Sequence, residues 1–255
     1  MKRISVLLVL CVFVLAGCQA KQERIDAKAS EEARIDVRIR WAKEHIQKGE
    51  YEEAKRPLTG ALDISPVHPK ALNLLAFVFQ QQGEMALAEE YFNKMMVADP
   101  DFAAGRNNYG IFLMIQRRYG EACPHFFKAS SNPLYEGRPQ TLENLASCYL
   151  LSHQNRLAED TFRQVLRLSP DSSITLIELA GLVYQRGETG EAWHFFERFS
   201  NLVNNKRIQH NAKSLWLGVQ LSREGRDPGM AATYALLLKN LFPESPEYQL
   251  YKESK

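Results

Sequence analysis

The amino-acid sequence predicts an all-α protein built from one helical hairpin that is repeated along the chain. Pro66 and Pro100 lie 34 residues apart, and the positions upstream of each carry the same residue types in the same order. One position holds alanine in five successive segments: Ala54, Ala88, Ala122, Ala158 and Ala192. A fixed period of this length is the signature of stacked units that cannot bury their apolar faces alone. The matched alanines argue against the alternative, an unrelated helical bundle with an accidental period.

The segment from Pro69 to Phe102 shows the pattern of one repeat. Two apolar stripes flank a turn at Gly83, and Pro100 lies at the end of the repeat. The stripes comprise Leu72, Leu75, Ala76, Phe79, Ala88, Phe92 and Met95. Alanine suits a close crossing of two helices, glycine tolerates the positive φ of a tight turn, and the residue before a proline avoids the α region. This order resembles the tetratricopeptide (TPR) consensus, which implies a right-handed superhelical solenoid.

About six TPR repeats fit the segment 35–255. We place them at about 35–68, 69–102, 103–138, 139–172, 173–206 and 211–245. The frame requires a two-residue insertion in the Ser130–Pro139 loop, and the sixth repeat is the loosest match. Because such arrays stack into extended surfaces, their usual role is binding.

The N-terminus predicts a lipoprotein. Residues 1–17 match a signal peptide, since a basic start is followed by an apolar run from Ile4 to Val14 that is too short to span a bilayer. The run ends in LAGC, a lipobox in which the thiol of Cys18 accepts a diacylglycerol. Cleavage would leave Cys18 as a triacylated N-terminus, with palmitate among its chains, and three chains give a stable anchor. Gln19 favours the outer membrane, facing the periplasm, and residues 18–34 form a polar tether. An ordinary secretory signal with a chance cysteine is the alternative.

Composition and motifs favour a protein that is not an enzyme. Lys and Arg total 32 and Asp and Glu total 30, so no basic stripe for nucleic acid is expected. The sequence has no GxSxG, HExxH or CxxC motif and no phosphate-binding glycine loop. The six histidines are scattered without ligand spacing. We therefore expect no cofactor, no metal and no catalytic residue.

Two cysteines remain beyond the N-terminal segment, Cys123 and Cys148. The repeat frame places them on the second helix of the third repeat and the first helix of the fourth, which pack together. A disulfide is therefore within reach in an oxidising compartment. Two small buried thiols are the alternative.

The first helix of each TPR repeat lines a concave groove, and many of the groove positions here are apolar. The predicted protein-binding residues are Ile39, Lys43, Ile46, Lys70, Asn73, Phe77, Gln80, Asn107, Ile111, Met114, Leu150, Ile177 and Tyr184. Contiguous apolar residues on a surface indicate a partner, such as an amphipathic helix or an extended apolar segment. The alternative is that neighbouring repeats bury them.

The segment 107–113, NNYGIFL, is the most specific stretch of the chain. Together with the lipobox and the repeats, it resembles the type IV pilus biogenesis lipoproteins of the PilF/PilW family. Some relatives carry, at the position of Met114, a cysteine that pairs with one at the position of Cys148; this chain offers Cys123 instead.

The resemblance implies a pilotin, monomeric in isolation, that binds the pilus secretin and promotes its outer-membrane localisation and multimerisation. Pilus (fimbrium) biogenesis and twitching motility would depend on it. The competing hypothesis is a TPR scaffold that joins cell-envelope complexes or peptidoglycan-synthesis enzymes.

Overall fold

A computed structural model describes residues 27–254. Within that range the chain has thirteen helices and no strand, which confirms the all-α class. The first helix, α1, covers residues 27–47. The others are α2 (Tyr51–Ile64), α3 (Pro69–Gln81), α4 (Met85–Ala98), α5 (Ala103–Ile115), α6 (Tyr119–Ser130), α7 (Arg138–Leu151), α8 (Asn155–Leu168), α9 (Ser173–Gln185), α10 (Thr189–Asn204), α11 (Ala212–Glu224), α12 (Pro228–Leu241) and α13 (Pro246–Glu253).

The predicted signal peptide 1–17 and the lipidation site Cys18 lie outside the described residues, as does the first half of the predicted tether. The second half of the tether, residues 27–34, is exposed but helical, because it is the start of α1. This segment has no Pro or Gly to end the helix, and Ile35 then begins the buried face.

The chain forms two compact units that divide between Tyr109 and Gly110, inside α5. We call residues 27–109 unit 1 and residues 110–254 unit 2. All five recurring alanines are fully buried, as close helix crossings require.

The core of unit 1 is built from small and aliphatic side chains of α1, α2 and α3. Its buried cluster comprises Ile35, Ile39, Ala42, Ala54, Leu58, Ala61, Ala71, Leu75 and Val78. Phe92 of α4 adds a stacked contact with Tyr109 of α5, with ring centroids 5.1 Å apart. The hydroxyl of Tyr109 also donates to Asn93 at 3.2 Å, so α4 and α5 are joined by both apolar and polar contacts.

The core of unit 2 contains large aromatic side chains at close helix crossings. A Cβ atom on Gly110 would lie 2.7 Å from the ring of Phe126, and one on Gly218 would lie 2.9 Å from the rings of Phe196 and Tyr234. Phe126 and Phe196 are almost completely buried. Glycine at these two positions is therefore required by packing.

Charged residues also link successive repeats of unit 2. Arg163 contacts Glu159 and Glu191 at 2.8 Å each, and Arg186 contacts the same two carboxylates at 2.9 and 3.5 Å. The buried carboxylate of Glu143 on α7 accepts hydrogen bonds from the hydroxyls of two residues at the start of α9. These contacts fix α7 to α10 relative to one another.

The turns inside the helix pairs all contain a residue in the left-handed region. Glycine occupies three of them, with φ of 75° at Gly49, 81° at Gly83 and 86° at Gly187. The other three use Arg117, His153 and Arg226, with φ of 60°, 60° and 56°. In the turn between α11 and α12, Gly225 has a φ of −69°, and the residue after it, Arg226, takes the left-handed conformation.

Helix α13 lies beyond the predicted repeats and packs against α11 and α12. Ser245 is the N-cap of this helix, and its hydroxyl accepts from the amide of Tyr248 at 3.2 Å. Pro246 follows as the first residue of the helix. Tyr251 packs edge-on against Trp216 of α11, with centroids 6.4 Å apart.

Candidate partner-binding surfaces

Cys123 of α6 and Cys148 of α7 form a disulfide, with their sulfurs 2.11 Å and their Cα atoms 5.7 Å apart. Both side chains are buried. The Cα separation lies within the range of natural disulfides, about 4.4–6.8 Å. Of the two states that the sequence left open, the structure has the bonded one.

Five predicted groove residues of unit 1 are at least partly accessible. They are Lys43, Ile46, Lys70, Phe77 and Gln80. Their accessibility leaves them available to a partner, and they combine one aromatic ring with two ammonium groups and an amide.

The other three predicted residues of unit 1 are buried, so their assignment to an open groove is wrong. Ile39 is 5% exposed and belongs to the core of α1 and α3. Asn73 is 5% exposed, and its Oδ1 accepts from Nδ2 of Asn108 at 3.1 Å. The amide of Asn107, also buried, donates to Oδ1 of Asn108 at 3.4 Å. The asparagines of the NNYG segment thus tie α5 to α3 instead of lining a surface.

In unit 2, the predicted groove residues Ile111, Met114, Leu150 and Tyr184 are half-buried. Ile177 is an exception, since only 3% of it is exposed and its assignment to an open groove is also wrong. It lines a small cavity of about 110 Å³ with Phe199 and with Ile208. Ile177 belongs to the apolar core of unit 2, and Ile208 comes from the 205–211 loop between α10 and α11.

Tyr184 lines a pocket of about 370 Å³ that we call the α9–α11–α13 pocket. It is formed by Gly181, Tyr184, Gln185, Lys213, Trp216, Leu217, Gln220, Glu247 and Leu250. Sequence reasoning missed its α11 and α13 members, because the sixth repeat is the loosest match and α13 follows the last predicted repeat.

Hydrogen bonds fix the tyrosine at the edge of this pocket. The hydroxyl of Tyr184 donates to Oε1 of Glu224 at 2.7 Å, and that of Thr189 donates to Oε2 at 2.7 Å. Partial burial, with the hydrogen bond to Glu224, raises the pKa of Tyr184 to about 12. The same hydrogen bonds lower the pKa of Glu224.

A second pocket, of about 930 Å³, lies between α1 and α2 in unit 1. Its lining includes Arg38, Trp41, His45 and Gly60. Trp41 is 55% exposed. Within residues 27–254 no helix pair precedes α1 to cover this ring.

No group of three His, Cys, Asp or Glu side chains in residues 27–254 could hold a metal ion. Among the helices of the same range, none is long and apolar enough to cross a membrane.

Comparison with known proteins identifies the family. A tetratricopeptide repeat family model matches residues 39–101. The type IV pilus assembly protein PilF of Pseudomonas aeruginosa is 36% identical over 251 residues, which cover 96% of this chain and 97% of that protein. The chain belongs to the PilF/PilW family of type IV pilus biogenesis proteins. The family resemblance seen in the sequence is thereby confirmed.

Two solved structures of PilF and PilW share the fold. The structure of Pseudomonas aeruginosa PilF has a TM-score of 0.81 and 35% identity, covering 89% of this chain and all of that one. The structure of PilW, described as a widely conserved type IV pilus biogenesis factor, has a TM-score of 0.70 and 26% identity over 85% of this chain and 97% of that one. This protein therefore shares its all-α TPR fold with PilF and PilW along most of its length.

Proposed function

We propose that the protein is a pilotin, a non-enzymatic outer-membrane lipoprotein that binds the type IV pilus secretin and promotes its localisation and multimerisation. The observation that carries the proposal is the 36% identity with a type IV pilus assembly protein over 96% of the chain. The proposal that the partner is the secretin rests on the resemblance of the NNYGIFL segment to the PilF/PilW family.

The accessible residues on the first helices of the repeats support a binding role. A secretin monomer exposes apolar surface in the periplasm before it assembles. Half-buried side chains such as Phe77 in unit 1 and Ile111, Met114 and Leu150 in unit 2 can cover such surface. A lipid at Cys18 would hold the protein at the target membrane and raise the effective concentration of its cargo there.

The first experiment is an unboiled SDS gel of outer membranes, probed for the secretin, from cells with and without the protein. The proposal requires that the SDS-resistant multimer disappears and the monomer accumulates when the protein is absent. An unchanged multimer, in amount and location, would contradict it and favour the scaffold of cell-envelope complexes or peptidoglycan-synthesis enzymes.

A charge placed on the accessible face of α3 tests the binding surface. We expect Phe77→Glu to abolish secretin multimerisation while the helical content stays the same. The matched control is Val97→Glu, which places the same charge at an 86% exposed apolar residue of the second helix in that repeat. Equal multimer levels in the two variants would remove this face from the proposal.

A further inference from the structure

The α9–α11–α13 pocket of unit 2 has an apolar interior. Trp216 and Leu217 of α11 form one wall, Tyr184 of α9 another, and Leu250 of α13 the third. Its volume, about 370 Å³, is at the small end of the range for ligand pockets, roughly 300–1,000 Å³. A pocket of this size suits one large side chain better than a whole helix.

The glycine at the base of this pocket has no packing role of its own. Gly181 lies inside α9, and a Cβ atom added there would meet nothing within 4 Å. This contrasts with Gly110 and Gly218, where a Cβ would overlap a buried ring. Glycine inside a helix destabilises it by about 1 kcal/mol relative to alanine. The open space over Gly181 therefore lets another molecule approach the backbone of α9.

One carboxylate in the lining of the pocket has no cationic partner among the described residues. Glu247 makes no ion pair with any residue in 27–254. Lys213, the cation in the lining, is held by Glu178 at 2.6 Å.

Two nearby cations, Arg223 of α11 and Lys252 of α13, contact other residues. Arg223 lies over the ring of Tyr251 and donates to the hydroxyl of Ser254 at 2.9 Å. Lys252 lies over the ring of Tyr248. Neither pairs with Glu247, so this carboxylate is available to a cation of a bound partner.

We propose that this pocket is an anchor subsite for a secretin segment in which an aromatic side chain adjoins a lysine or arginine. The aromatic ring enters between Trp216 and Tyr184, over Gly181, and the neighbouring cation pairs with Glu247. Aromatic walls also favour a cation at the rim through cation–π contacts. The assignment rests on the proposed function, and it adds the chemistry of the segment and the place where it binds.

The test measures binding of the full-length lipoprotein, in mild detergent, to the purified periplasmic region of the pilus secretin from the same organism. Gly181→Leu fills the pocket, and Glu247→Lys reverses a rim charge. The matched controls are Gly190→Leu, at a helical glycine whose added Cβ would also be unobstructed, and Glu244→Lys, at an exposed acid that does not line the pocket. We expect each pocket variant to raise Kd at least about tenfold and each control to leave it unchanged.

Overlapping synthetic peptides that cover the same secretin region identify the bound segment. The peptides that bind should contain an aromatic residue next to lysine or arginine, and raised salt should weaken their binding. Peptides without this pair, bound equally well, would overturn the proposed chemistry.

The outcomes separate the two proposals. If the unaltered protein does not bind the secretin, the proposed function fails and the subsite fails with it. If it binds and drives multimerisation, but the pocket variants bind equally well, the function stands and the subsite is wrong. Loss of a dimer in the variants, measured by sedimentation without secretin, would assign the pocket to a second copy of the chain and also overturn the proposal.

Discussion

Removing the disulfide between Cys123 and Cys148 is expected to destabilise unit 2 by about 3.5 kcal/mol. The two cysteines are 25 residues apart in the sequence, so the bond closes a loop of that length in the unfolded chain. The entropy of closing such a loop amounts to about 12 cal/mol/K, which is the source of this free energy at room temperature. Both cysteines are buried in the folded protein, so alanine is the replacement that leaves no unpaired hydroxyl.

The predicted fall in melting temperature is large enough to measure. Unfolding of the roughly 145 described residues of unit 2 has an entropy of about 0.3 kcal/mol/K, so the loss corresponds to about 11 °C. The assay is thermal unfolding followed by far-ultraviolet circular dichroism, with and without a phosphine reductant. The Cys123→Ala/Cys148→Ala variant is the control, since its melting temperature should not respond to the reductant. A difference of less than about 3 °C between the oxidised and reduced protein would refute the loop-closure argument.

Three further predictions concern unit 2. Gly110→Ala should lower the free energy of unfolding in urea by about 1 kcal/mol or more, although alanine is a better helix former than glycine, because its Cβ would lie 2.7 Å from the ring of Phe126. Phe126→Leu in the same chain should restore part of the loss. Glu143→Ala should cost about 1–3 kcal/mol in the same assay, since two hydroxyls of α9 lose their acceptor, and a midpoint equal to that of the unaltered protein would contradict this. Because the pKa of Tyr184 is raised from 10 to about 12, its contribution to stability is complete below pH 10 and is lost as pH rises to about 12. Tyr184→Phe should remove this part of the pH dependence of the urea midpoint, and an unchanged profile would contradict the raised pKa of Tyr184.

The periodic features of the fold could be predicted from the sequence. Alanine at the helix crossings and glycine at turns such as Gly83 are determined within one repeat, because a larger residue or another backbone conformation does not fit there. The family could be inferred as well, from the NNYGIFL segment.

The accessible surface could be predicted only in part. Ile39, Asn73, Asn107 and Ile177 occupy groove positions in the repeat frame, but each is buried. Ile177 shares a small cavity with Ile208 of the non-repetitive 205–211 loop, and Asn108 binds Asn73 across two helices.

Helix α13 was missed for a different reason. The last predicted repeat ends at about residue 245, where the sequence carries a helix start. Ser245 followed by Pro246 is a typical pair of N-cap and first-turn residues. A search for helix starts beyond the last repeat would have found α13, and with it one wall of the pocket.

The turns at Arg117, His153 and Arg226 imply that this protein can tolerate further sequence change. A residue other than glycine in the left-handed region destabilises the fold by about 1–2 kcal/mol. Replacing it with glycine removes this cost, but the greater freedom of glycine in the unfolded chain cancels about half of the gain. Glycine at all three turns would then add roughly 2 kcal/mol, about the loss caused by one or two ordinary destabilising substitutions. New binding residues could therefore be introduced on the helices of unit 2, with these exposed turns compensating for the stability that such changes remove.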